Sequence, residues 1–224
     1  MKRLHSPLSE FSLIFLVVVV HLLLLSVSSV AAAAAATAAH DDDNDENKMI
    51  LVSTEFLDAC TEGKVEIVKD MLQQNPTWVK GTSPDGETCL HVAGIYGQAA
   101  VTQAVLQHEG ADPNTRTTYE KGLRMHPLSW NVFAGHVDTA KVLLEHGADV
   151  NLDFDEGGGS STSTTTIITA MDVVNQILGA NANDNENDGS GSSGMEPFQK
   201  MKALLQSYNG KTWVELQAAK DKEL

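Results

Sequence analysis

One stretch of this 224-residue chain is written twice. Gly97, Gly110, Ala111, Asp112 and Asn114 recur as Gly135, Gly147, Ala148, Asp149 and Asn151. Ahead of the two sets stand Thr88-Cys89-Leu90-His91-Val92-Ala93 and His126-Pro127-Leu128-Ser129. A repeat of this length constrains the fold more than any composition does. Each unit is too small to bury its own apolar face, so neighbouring units must stack into a continuous core. Registered on a leading apolar residue, four units begin around Phe56, Leu90, Leu128 and Met171, in steps of 34, 38 and 43 residues. In the first, Val65, Ile67, Val68, Met71 and Leu72 follow helical spacing. The fourth opens at Thr169-Ala170-Met171-Asp172-Val173 and breaks at a polar run from Ala180 to Gly194. It resumes at Phe198, Met201, Leu204 and Leu205.

The Thr-x-Leu-His-x-Ala opening, the mid-unit Gly and the Gly-Ala-Asp-x-Asn close resemble the ankyrin repeat, whose period is about 33 residues. The resemblance spans residues 50–211, with units at about 54–82, 83–115, 126–155 and 169–211 and insertions at 157–168 and 180–194. It implies an all-α ankyrin-repeat solenoid of about four helix-turn-helix units. Thr212-Trp213-Val214-Glu215 then fits a capping box. A short helix over 212–220 is expected to cover the end of the stack. Thr88 is suited to cap a helix, Pro127 to occupy a first turn, and Gly97 and Gly135 to end first helices in a left-handed conformation. Asp112, Asn114, Asp149 and Asn151 favour turns. His91 is, in the family pattern, a structural histidine bonded to neighbouring backbone; His108, His136 and His146 also fall at pattern positions. Unit three departs from the pattern, with His126 for the capping Thr, Ser129 for His and Asn131 for the packing Ala. A lost cap costs about 1 kcal/mol, so unit three is expected to be soft or to serve a site.

The two ends read as addresses. Lys2 and Arg3, the apolar run Phe11–Leu25 and the small residues Ser26–Ala39 have the order of a secretory signal peptide over 1–39. Left uncleaved, the run would anchor the chain in a membrane, again with the remainder on the lumenal side. Residues 40–49 form an acidic arm. The last residues, Asp221-Lys222-Glu223-Leu224, are similar to the KDEL and HDEL retrieval signals of the endoplasmic reticulum. The expected location is the lumen of that compartment, with secretion as the alternative. A KDEL-type retrieval receptor is one implied partner, and the molecule is expected to be a monomer.

Charge and motifs exclude much. The chain holds 15 Lys and Arg against 30 Asp and Glu. Only Lys2, Arg3 and Glu10 precede residue 40, so the remainder carries 13 basic and 29 acidic side chains, a net −16. Such a balance opposes binding a nucleic-acid backbone. No G-x-S-x-G, P-loop, H-E-x-x-H or G-x-G-x-x-G is present, so no enzyme and no cofactor are implied. No metal site is expected. Asp184-Asn185-Glu186-Asn187-Asp188-Gly189 opens like an EF-hand loop, but its twelfth position is Met195 where the ligand Glu belongs. A low-affinity calcium-associated lumenal protein, acting through this run and Asp41–Glu46, is the alternative function. Cys60 and Cys89 fall at different positions of their units, which argues against a disulfide between them.

The main functional expectation is non-enzymatic binding of an unidentified lumenal protein. In the family, first helices line a concave groove with loops beside it as fingers. By alignment Val92, Ile95 and Tyr96 in unit two and Trp130 and Phe133 in unit three face that groove. Clustered aromatics there would mark a partner site. The long finger Thr115–Met125 carries Arg116, Tyr119, Lys121 and Arg124, a cationic spot suited to an acidic partner. The leader reading makes its own prediction. N-terminal sequencing of protein recovered from cells should find a new terminus generated between Ala31 and Ala39, and an intact Met1 would contradict it.

Overall fold

A computed structural model describes residues 50–117, 124–155, 167–184 and 195–222. The leader, the acidic arm and most of both insertions lie outside these residues. Within them the helices come in pairs. They are α1 (Thr54–Thr61) with α2 (Val65–Gln74), α3 (Cys89–Ile95) with α4 (Ala99–Leu106), α5 (Pro127–Ala134) with α6 (Val137–Glu145), and α7 (Ala170–Asp184) with α8 (Glu196–Ser207). A 3₁₀ turn, Pro76–Lys80, follows α2, and α9 (Trp213–Lys220) follows α8. The first helices α1, α3, α5 and α7 pack in one row and the second helices α2, α4, α6 and α8 in another, with each pair packed internally. This is the all-α ankyrin-repeat solenoid that the repeat implied. The only strands among the described residues are β1 (Phe154–Asp155) and β2 (Ile167–Ile168), antiparallel, with Phe154 opposite Ile168.

In units one, two and four a side chain accepts a backbone N–H at the start of the first helix, and the chemistry of the cap varies; in unit three none does. Ser53 Oγ accepts the Phe56 N–H at 3.3 Å. In unit two the Thr88 N–H donates to His91 Nδ1 at 3.1 Å, with Thr88 Oγ1 2.9 Å from the same nitrogen. Unit three exchanges the pair: His126 stands at the cap and Ser129 three residues on, with Ser129 Oγ 2.9 Å from His126 Nε2. In unit four Thr169 N–H and Oγ1 both donate to Asp172 Oδ2 at 2.9 Å. Unit three therefore keeps only this bond between side chains across its altered positions. Its Asn131 is likewise accommodated. The amide donates to Pro127 C=O at 2.8 Å and lies against Gly94 of α3, where any Cβ would overlap it. Gly135, at φ +74°, ends α5 in the left-handed region that favours glycine, and a Cβ there would come within 3.3 Å of Phe198.

The apolar core lies between the two rows and divides in two. One cluster holds Phe56, Val68, Leu72, Leu90, Ala93, Val101 and Val105 of units one and two. The other holds Met125, Leu128, Val132, Leu143, Phe154, Met171, Val174, Met201 and Leu205 of units three and four. Leu106 packs against both.

Cys60 and Cys89 form a disulfide with Cα atoms 5.6 Å apart, which corrects the expectation that they are too far apart in the repeat to meet. Different repeat positions meet because successive first helices are staggered, the end of one lying against the start of the next. The same pair of positions at the following junction is Gly94 and Pro127. There a Cβ on Gly94 would sit 3.4 Å from Pro127 O. Both cysteines are buried, at 0% and 1% exposure.

Two boundaries also move. Helix α7 runs on to Asp184, taking in the first five residues of the expected polar insertion, and Ile167–Ile168, at the end of the expected insertion 157–168, belong to a strand. Helix α9 has the expected capping box between Thr212 and Glu215. It covers little, however: none of its residues is buried and Val214 is 75% exposed. Its attachment reproduces the junctions upstream. Asn114 Oδ1 accepts the Asp149 N–H and Asn151 Oδ1 accepts the Lys211 N–H, both at 2.8 Å. Asn209, at φ +62°, takes the left-handed place that Gly147 holds at +87°. Asn is among the few non-glycine residues that adopt this conformation readily. Helix α9 thus stands where the first helix of a further unit would, and Val214 occupies the position of the buried Leu90 and Leu128.

The disulfide closes a loop across 29 positions. Replacing both cysteines with Ala should lower the unfolding free energy by about 3–4 kcal/mol in urea titrations, from the loop-closure entropy returned to the unfolded chain. An unchanged midpoint would show that the crosslink constrains nothing.

Candidate functional site

The expected groove residues sit on the last turn of α3 and along α5. Ile95, Tyr96, Trp130 and Phe133 are each half-buried. Val92 is not a groove residue. At 6% exposure it belongs to the core of units one and two, because α1 and α5 close on α3 from both sides. Trp130 and Phe133 pack against the core of units three and four, and the Trp130 indole N–H is buried with no hydrogen-bond partner among the described residues. The rings therefore form a shallow apolar floor, not a protruding patch. The more exposed large apolar side chains lie elsewhere, at Leu51, Ile67, Tyr208 and Val214. Burial, and then the nearby Glu87 carboxylate, raise the Tyr96 phenol above its ordinary pKa, so it remains a neutral donor.

The finger after unit two starts with an Asx turn. Asn114 N–H donates to Asp112 Oδ1 at 2.8 Å, and Asn151 N–H does the same with Asp149 at 2.9 Å. Thr117 N–H to Met125 C=O at 3.0 Å closes the base of the finger. Arg116 is not a free cation. Its Nη2 lies 3.1 Å from Asp153 Oδ1, which ties this finger to the next and neutralises the charge expected to attract an acidic partner. Arg124 is exposed, at φ +46°. Tyr119 and Lys121 lie outside the described residues. At the other end Asp221 and Lys222 are exposed, while Glu223 and Leu224 are also outside them.

The histidines at the repeat positions join units together. His91 Nδ1 accepts from Thr88, which places the proton on Nε2, 3.2 Å from Met125 C=O in the next unit. His126 Nε2 lies 3.0 Å from Leu152 C=O. His136 Nε2 reaches Ile95 C=O at 3.0 Å. His146 Nδ1 donates to Val142 C=O, which leaves its Nε2 to accept the Gln103 amide at 3.0 Å. Burial lowers the pKa of His91 to about 3 and of His126 to about 4, against the raising effect of their backbone carbonyl bonds. Charging His91 would set a proton against the Thr88 donor. Charging His126 would leave a buried Nδ1–H with no partner. Among the described residues no cluster of three or more His, Cys, Asp or Glu is placed to hold a metal ion, and no helix is long and apolar enough to cross a membrane.

Residues 56–154 match the family model for ankyrin repeats in three copies. The chain is 33% identical over 103 residues to the ankyrin repeat and KH domain-containing protein mask of Drosophila melanogaster, covering 44% of this chain and 2% of that protein. It is also 33% identical over 95 residues to the 26S proteasome non-ATPase regulatory subunit 10 of Dictyostelium discoideum, covering 42% of this chain and 39% of the relative. The chain thus spans well under half the length of either. A stack of ankyrin repeats is a protein–protein interaction module.

The histidine geometry sets a pH dependence. Both folded pKa values lie below the ordinary 6.5, so the stabilisation is fully present above pH 6.5 and is lost as pH falls toward about 4 and then 3. At pH 5 each imidazole should remove at most about 2 kcal/mol relative to neutral pH. Urea midpoints measured from pH 7.5 to 5 should fall, with the two ring signals in NMR unshifted over that range. Ring signals of His91 or His126 titrating near 6.5 would contradict the assignment.

Proposed function

We propose that this ankyrin-repeat stack is a non-enzymatic adaptor of the endoplasmic reticulum lumen, holding a partner protein on its concave face and fingers. The observation that carries the binding reading is the placement of Ile95, Tyr96, Trp130 and Phe133 on neighbouring first helices, half-buried along one face. Aromatic side chains that offer apolar area while already held in place lose little freedom on binding. Three independent features support the lumenal reading. The leader delivers the chain there, and the Asp221–Leu224 sequence fits retrieval. The buried Cys60–Cys89 disulfide suits an oxidising compartment and would be unusual in cytosol. Exposure of Asp221 and Lys222 is consistent with a receptor reading the tail. Of the second finger's cations, Arg116 is paired with Asp153 and so offers less to an acidic partner, while Arg124 is exposed.

Full-length protein with an internal tag provides the test. Appending glycines after Leu224 should move the protein from cells to medium, and lumenal cross-linking should recover partners that Tyr96→Ala plus Trp130→Ala loses. Recovery in cytosol with the leader intact would overturn the location. Unchanged partners in the double variant would overturn the concave-face assignment.

A further inference from the structure

The concave face has a sign. Asp58 stands two residues after Phe56, the register of the half-buried Trp130 after Leu128; the same position in unit two, Val92, is buried. Glu62 stands six after, the register of Tyr96. Both acids are exposed, and α1 packs directly on α3. From Ser83 to Thr115 the chain contains Asp85, Glu87, Glu109 and Asp112 and neither Lys nor Arg. Asp85 is at the tip of the finger that leads into α3, in the turn closed by Gly86 N–H to Ser83 C=O. Of the three cations of unit one, Lys64 is paired with Glu62, Lys69 with Glu66, and Lys80 lies against Gly110 after the second helix of unit two, which leaves Asp58 without an ion-pair partner among the described residues. Arg116, the nearest guanidinium downstream, is held by Asp153.

We infer that the concave face over units one and two takes a cationic segment of the partner protein, with an apolar side chain of that segment lying over Ile95 and Tyr96 and its Lys or Arg side chains facing Asp58 and Asp85. The inference rests on the concave face being the binding surface and adds the chemistry of what binds there. An apolar floor supplies contact area, and the uncompensated carboxylates beside it select charge and speed encounter. The same carboxylates reject an acidic segment by like-charge repulsion.

Two fluorescein-labelled peptides of equal length and equal apolar content, one carrying lysines and one glutamates, supply the probe. Fluorescence anisotropy with the full chain at physiological salt should show the lysine peptide binding at least about tenfold more tightly. Asp58→Lys plus Asp85→Lys should weaken that binding about tenfold, and the milder Asp58→Asn plus Asp85→Asn should weaken it less, with unchanged circular dichroism as the control for folding. Replacing Asp41–Glu46 with serines should leave it within about twofold, because the selection is assigned to Asp58 and Asp85. The inference is overturned if neither peptide binds, if the glutamate peptide binds as well, if the Asp58 and Asp85 variants bind the lysine peptide unchanged, or if loss of the acidic arm abolishes binding. Failure of the concave-face reading itself is seen separately, as cross-linked partners that persist in the Tyr96→Ala plus Trp130→Ala protein.

Discussion

The bonds that cross from unit two to unit three hold this molecule together as one stack. The fully buried core divides into two clusters at that seam, bridged by Leu106, while α3 packs on α5 and α4 on α6 across it. Side chains aimed at the neighbouring unit add to that packing. His91 reaches Met125 C=O and His136 reaches Ile95 C=O. Asn114 accepts the Asp149 N–H, and Gln103 bonds His146. A net contribution of about 1 kcal/mol is typical of each such bond, and leaving a buried partner unsatisfied costs more. In a linear array, where stability is a sum of unit and interface terms, these bonds raise the interface term at the junction between the two clusters.

The same seam carries the concave face. Ile95 and Tyr96 belong to one side and Trp130 and Phe133 to the other, so their spacing is fixed by the bonds beneath them. A partner meets a floor already assembled, with carboxylates of unit one at one end. The disulfide extends that rigidity toward the amino terminus by joining α1 to α3. Residues 50–115 thus form a crosslinked acidic half. Acidity of the chain as a whole keeps it soluble, whereas acidity placed at Asp58 and Asp85 is specific to the face.

Much of this was legible in the sequence because the repeat fixes register. The helix pairs, the glycine stops and the capping box of Thr212 follow from residue types with a local physical reason. The disulfide was not legible: equal positions were assumed to face each other, and the stagger of successive helices appears only in three dimensions. Val92 was misplaced for a related reason, since a seven-residue helix flanked on both sides has little outer face. The exchange of His126 and Ser129 read as a lost cap, and no side chain accepts a backbone N–H there; the reversed hydroxyl–imidazole pair bonds only side chain to side chain. Arg116 read as free because its partner, Asp153, belongs to the following finger. The asparagines at the ends of units two and three were recognised as turn formers, but their amides also bond the next unit, which one unit alone cannot reveal.

The coupling across the seam is testable with the indoles the chain already has. Trp78 packs with the core of units one and two and Trp130 with that of units three and four. Two full-length variants, each lacking Trp213 and keeping only one of these residues, would be unfolded in urea at neutral pH and followed by fluorescence and circular dichroism. A single stack predicts coincident transitions for both indoles and for helix content. Two separated transitions, with Trp130 reporting loss of its half while Trp78 still reports a folded environment, would contradict it.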